Sequence, residues 1–307
     1  MSSASKQFAL ERALQSLRGL SIGDAFGEMF FLPVEEFEAV LRARVIPAAP
    51  WSYTDDTEMA LSVVAVLGNH AEIRQDELML MFAEHFDLSR GYGPSMQRVL
   101  RQIQEGADWQ STVSGAFEGQ GSYGNGSAMR AGPVGAYFAD DLEMVVEQAR
   151  RSSLVTHRHP EAVAGAVFVA LAAAHVWRLR EQKQEVTPKA FLELVCSHVP
   201  ESEVLSKLKR ASRLPESTSA QLAASILGNG EKLSAQDTVP FCLWCVARYL
   251  SDYAEALWET VSAGGDRDTT CAIVGSIVAM SLDRQELNVW LAAREPYPRW
   301  FTSALGE

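Results

Sequence analysis

The chain has 307 residues, of which 47% are hydrophobic and 21% charged, a balance that suits a folded globular protein and excludes disorder as its main state. Its formal net charge is −12, from 27 basic and 39 acidic residues, so it gains nothing from counterion release on a phosphate backbone. Non-specific nucleic-acid binding and attachment to anionic membranes are poor readings on that ground.

The N-terminal stretch MSSASKQFALER shows no basic segment followed by an apolar run, which sets the expectation of a cytoplasmic protein. Leu10, Ala13, Leu14 and Leu17 then recur at helical spacing and place one apolar stripe on a first helix. Met59, Leu61, Val63, Val64 and Leu67 continue a second helix, apolar nearly all round, that opens near Glu58. A third is expected over 162–179, with Pro160 in its first turn, where a missing N–H costs nothing. Its apolar run, Ala162 to Trp177, contains His175 and falls short of the roughly 18 to 20 residues that span a bilayer, so it reads as a core helix. Further helices are expected at 188–198, at 239–250 with Pro240 at the start, and at 269–282. Residues 200–237 are polar and broken by Pro200, Pro215, Gly228 and Gly230, and read as a surface excursion. Cys242 and Cys245 form C-x-x-C inside an apolar stretch, without a second Cys/His pair at zinc spacing, and read as a buried helix turn. The expected fold is all-α, a single domain over 1–307.

Chemistry concentrates where loops open apolar helices. Thr54-Asp55-Asp56-Thr57 immediately precedes the second helix, and Asp266-Arg267-Asp268-Thr269 precedes the last. Capping explains one acidic residue at a helix start well and two adjacent ones, as at Asp55 and Asp56, only adequately; of Asp266 and Asp268 it needs one, and the other requires another reason. Carboxylates and hydroxyls are hard oxygen donors of the kind Mg²⁺ or Mn²⁺ selects, and two such loops facing one another would supply four carboxylates. Between them, Gly121-Ser122-Tyr123-Gly124-Asn125-Gly126-Ser127 lets backbone N–H groups approach an oxyanion, although a tight interhelical loop is an equally good account. Thr156-His157-Arg158-His159 follows, before the core helix.

Together with Gly23-Asp24-Ala25-Phe26-Gly27 and Met129-Arg130, these motifs stand in an order that resembles the ADP-ribosylglycohydrolase family, over about residues 8 to 283. The resemblance implies an all-α fold and two Mg²⁺ or Mn²⁺ ions held by Thr54, Asp55, Asp56, Asp266, Asp268 and Thr269. It also implies that Gly121, Ser122, Tyr123, Gly124, Asn125 and Gly126 surround the diphosphate and ribose, that His157 lies beside the ADP-ribose, and that Phe117 lines the adenosine end. One position departs from the family pattern: Phe31 stands where members commonly carry a glutamate. Glu28, about one helical turn earlier, could replace it or be a solvated surface residue.

The implied reaction is metal-dependent hydrolysis of the glycosidic bond between ADP-ribose and an acceptor, either an ADP-ribosylated protein or a small conjugate. Asp55 or Asp56 would be the general base, with Glu28 as a further catalytic carboxylate. Two alternatives stay open: a catalytically impaired ADP-ribose-binding protein, which Phe31 motivates, and a hydrolase of a small nucleotide glycoside. The oligomeric state is not legible in the sequence.

Overall fold

The computed structural model of the chain describes residues 3–198 and 201–304; Pro200 and both ends of the expected 1–307 domain lie outside them. Among the described residues it is all-α, with 17 α-helices, short 3-10 turns and no strand. The first six helices are α1 (Ser3–Glu28), α2 (Val34–Ala43), α3 (Asp55–His70), α4 (Gln75–Glu84), α5 (Pro94–Gln104) and α6 (Trp109–Ser114). After the glycine loop come α7 (Gly132–Tyr137), α8 (Leu142–Leu154), α9 (Pro160–Gln182), α10 (Pro188–Val195), α11 (Glu203–Ala211) and α12 (Ala220–Leu227). The chain closes with α13 (Ala235–Arg248), α14 (Tyr253–Ser262), α15 (Arg267–Val278), α16 (Asn288–Leu291) and α17 (Arg299–Ala304).

Three glycines decide how the two ends of the sequence meet. Gly19, Gly23 and Gly27 repeat every fourth residue and form one bare stripe on α1. α15 runs along that stripe in the opposite direction. A Cβ on Gly19 would lie 2.3 Å from the Gly275 carbonyl oxygen, one on Gly23 2.1 Å from that of Cys271, and one on Gly27 2.2 Å from that of Arg267. Nothing larger than hydrogen fits there, and the approach sets Asp24 beside Asp268.

α9 begins as its sequence predicts. Pro160 occupies the first turn, and His159 Nδ1 accepts from Glu161 N at 3.2 Å. Its length corrects the sequence reading. The helix extends past the apolar run at both ends to 23 residues, long and apolar enough to cross a membrane by length and composition. Yet 83% of its most apolar window is buried inside the protein, so it is the core helix expected.

Two further expectations fail. The stretch 200–237 is not merely a surface excursion: Val204, Leu205, Leu208 and Ala211 of α11 and Ala220, Ala223, Ala224 and Leu227 of α12 are buried. Each of these helices is amphipathic, and its polar outer face masked the inner one. Pro240 lies inside α13 rather than at its start. A proline there leaves the Gln236 carbonyl without its helical donor, and Lys207 Nζ of α11 donates to that oxygen at 2.9 Å. Cys242, Cys245 and Cys271 are buried and free, and burial pushes the Cys245 thiol up to about 12.

Candidate functional site

The site lies where the N-termini of α3 and α15 meet the C-terminal part of α1. Thr54 caps α3, its hydroxyl accepting from Asp56 N at 3.4 Å, which directs Asp55 and Asp56 into the first turn. Asp24, fully buried in α1, holds this opening in place. It accepts from the backbone N–H groups of Thr54 and Thr57 at 3.0 Å and from their hydroxyls at 2.8 and 2.5 Å. From α15, the Thr269 hydroxyl donates to Asp56 Oδ2 at 3.3 Å.

Carboxylate oxygens of Asp24, Asp56 and Asp268 thereby come within 4.8 Å of one another. Asp56 Oδ1 and Asp268 Oδ1 are buried and have no hydrogen-bond partner. Burial raises every carboxyl of the cluster, and repulsion adds to it at Asp24 and Asp266: Asp24 goes to about 7, chiefly by burial and then by Asp268, and Asp266 to about 8 by the same two causes. Asp268 is raised by burial against hydrogen bonds that lower it. Asp55 and Asp56 are pushed well above the ordinary range, again by burial first. An all-oxygen donor set with two orphaned buried carboxylate oxygens fits a hard divalent cation.

Asp55, Asp56, Asp266, Asp268 and Thr269 line a cavity of about 330 Å³, together with Phe117, Ser122, Gly124, Asn125, Gly126 and His157. The two acidic loops and the glycine loop therefore share one chamber. Thr54 is not in its wall; bonded to Asp24 and Asp56, it lines the neighbouring cavity instead. Gly121 and Tyr123 are not in its wall. Gly121, at φ 77°, instead lets the chain pass the backbone of Arg158 and His159, where a Cβ would sit 2.9 Å from His159 N. Tyr123 is half exposed and meets His159 edge-on. Asn125 is largely spent within the protein, its Nδ2 donating to Asp266 Oδ2 at 2.7 Å and to Thr238 Oγ1 at 3.1 Å. Phe117 reaches the cavity from a left-handed backbone at φ 53°.

A second cavity of about 420 Å³ lies on the other side of Asp266 and Asp268, lined also by Glu28, Phe31, Tyr53 and Arg90. Glu28 closes α1 near Asp268, and partial burial together with that neighbour raises its carboxyl to about 7. Phe31 is half exposed, with the Arg267 guanidinium 5.3 Å from its ring centre.

Among the buried polar residues of its own motifs, sequence reasoning left Asp24, Thr57, Ser127, Arg130 and Thr156 unassigned. The signal near Asp24 was the four-residue spacing of Gly19, Gly23 and Gly27, which marks a close neighbour without saying which helix it is.

Residues 5–304 match the family model described as ADP-ribosylglycohydrolase. The chain is similar to ADP-ribosylhydrolase ARH3 of Bos taurus, at 28% identity over 94% of this chain and 90% of that protein. The Homo sapiens protein of the same name is 28% identical over 88% and 85%. An Archaeoglobus fulgidus protein is 30% identical over 87% and 86%. Among solved structures, the chain resembles one titled ADP-ribosylglycohydrolase-related protein complex, with a TM-score of 0.67 at 22% identity over 97% of each chain.

Proposed function

Because the chain belongs to the ADP-ribosylglycohydrolase family, we propose that it is a metal-dependent hydrolase that cleaves the glycosidic bond between ADP-ribose and an acceptor. One observation carries the reading: three carboxylates from distant parts of the sequence meet, and the two with orphaned oxygens, Asp56 and Asp268, line a cavity that the glycine loop and His157 also line.

Asp24, Asp56 and Asp268 would hold Mg²⁺ or Mn²⁺, with Asp55, Asp266, Thr54 and Thr269 completing the set. The cation supplies Lewis-acid polarisation of substrate oxygens and neutralises the carboxylate charge. The remaining work belongs to side chains. Asp55, less buried than Asp56 and facing the cavity, takes a proton from the attacking water. The anomeric carbon gains oxocarbenium character as the acceptor leaves, and the surrounding carboxylates favour that charge over the neutral ground state. Gly124 and Gly126 let a diphosphate approach the backbone, and His157 lies against both. Glu28 takes the place of the missing family glutamate from the second cavity, where the acceptor would lie.

Release of ADP-ribose from ADP-ribosylated protein and from small ADP-ribosyl conjugates, with added Mg²⁺ and after exhaustive chelation, tests this. Turnover that needs the metal supports it; full activity after chelation, or none on any linkage, overturns it. Phe31 supports a second reading, a protein that binds ADP-ribose without cleaving it. Tight calorimetric binding with no turnover would favour that protein instead.

A further inference from the structure

Behind His157 lies a chain of polar groups that the reaction above leaves unused. Arg130 is fully buried beneath the glycine loop, its guanidinium 4.8 Å from the centre of the Phe82 ring. It donates to neutral oxygens: the Gly126 carbonyl, the Ser152 carbonyl at 3.2 Å and the Thr156 hydroxyl at 2.8 Å. A guanidinium has donors only, so Thr156 Oγ1 must accept from it. The same oxygen lies 2.7 Å from His157 Nδ1. That hydroxyl has no other acceptor among the described residues, so donating its single proton to the ring nitrogen is the arrangement that leaves none of the three groups unsatisfied. A neutral imidazole that accepts at Nδ1 carries its own proton on Nε2. Burial and the nearby Arg130 charge keep the ring neutral, pushing its pKa down to about 3. Nε2 faces the glycine loop: a Cβ on Gly124 or Gly126 would lie 3.1 Å from it, and all three residues line the cavity.

We propose that Arg130 and Thr156 are positioning residues that lock His157 as the Nε2–H tautomer, giving the cavity a fixed neutral donor for an oxygen of the diphosphate–ribose unit. The partner named here rests on reading the cavity as the ADP-ribose site; the lock itself does not. With the other tautomer, Nε2 would present a lone pair to an anionic oxygen and repel it.

Nitrogen-15 NMR of the histidine-labelled protein, with the ring assigned through His157→Asn, reads the tautomer directly. The wild-type ring should show a protonated Nε2 and a bare Nδ1, and Thr156→Ser should preserve both. Thr156→Val removes the donor to Nδ1, so the two nitrogens should shift toward one another. Its ADP-ribose affinity should fall about 10-fold, with KM rising in parallel and kcat changing less than about 3-fold, as loss of one charge-assisted hydrogen bond to bound substrate requires. A wild-type ring protonated at Nδ1 overturns the lock, whether or not the valine variant folds. So does a folded valine variant with unchanged tautomer and affinity. A wild-type ring with Nε2–H in a protein that does not bind ADP-ribose sustains the lock and overturns the reading of the cavity.

Discussion

Four donors converge on Asp24, two backbone N–H groups and two hydroxyls of the loop that opens α3. The side chain therefore orders the loop carrying Asp55 and Asp56 as well as offering an oxygen of its own. Asp24→Asn keeps the size but puts an amide among donors, and should lower metal affinity or activity by about 10- to 100-fold, read by metal titration and turnover. Asp268→Ala and Glu28→Ala separate the two sides of the site. Loss of turnover in both would make Glu28 part of the reaction, whereas loss in Asp268→Ala alone would leave it a surface residue. The same carboxylates set a pH dependence. Their folded values are raised, Asp24 from 3.8 to about 7 and Asp266 from 3.8 to about 8, so the native state binds the extra protons. The associated stability is complete below the unfolded value and lost as pH rises through the folded ones. Metal-free protein should thus show a Tm that falls from about pH 4 and levels off above about pH 8, and saturating Mg²⁺ should remove the fall by taking the place of the protons. A metal-free Tm that rises over that range would contradict the assignment.

At the scale of elements, the glycine stripe of α1 is the most exacting joint. Gly23→Ala would place a methyl 2.1 Å from the Cys271 carbonyl oxygen, backbone that cannot turn aside. Separating the helices should destabilise the fold by about 1–3 kcal/mol or more in urea unfolding. Gly93→Ala, where nothing lies within 4 Å, should stay within about 0.5 kcal/mol of wild type. The same joint shows what could be read in advance. α3, α9 and α15 were legible because a polar cap or a proline precedes an unbroken apolar run, a local signal. α11 and α12 were not, because short helices with one polar face look like loops in a polar stretch. The start of α13 was misplaced because a proline was taken as a first-turn residue, and only the Lys207 contact from another helix explains its tolerance inside. The two acidic loops were visible as excess carboxylates at helix starts. Asp24 was hidden because its importance depends on which helix lies across it, and the four-residue glycine spacing was the sole trace of that neighbour.

Over the whole molecule, the segment after α15 completes the support of the site, although no helix was expected beyond residue 282. Trp290 meets Phe26 of α1 edge-on at 5.5 Å and stands 6.1 Å from Trp51. Glu295 Oε1 accepts from Tyr53 N at 2.9 Å and pairs with Arg90, whose Nη1 also donates to the Tyr53 carbonyl at 2.8 Å. The residue preceding Thr54 is thus anchored by a carboxylate from the far end of the chain. Glu295→Ala leaves a backbone N–H and a guanidinium short of a partner, and should cost about 1–3 kcal/mol of stability. Because the anchor borders the loop that carries Asp55 and Asp56, Mg²⁺ affinity should fall as well, and calorimetric titration would show it. Unchanged affinity would confine Glu295 to holding the fold.

Ser16 of α1 bonds the Ser276 carbonyl of α15, 260 positions later, and the carboxylate cluster sits on the same joint. During synthesis the carboxylate cluster therefore stays incomplete until α15 has left the ribosome. Asp24 and the loop of Asp55 and Asp56 can meet earlier, through α1 and α3, but Asp268 arrives only with that helix. Closing so large a loop is slow relative to forming local helices, so the ability to act arrives as one late event, and a chain cut short before that helix should be inert rather than partly active.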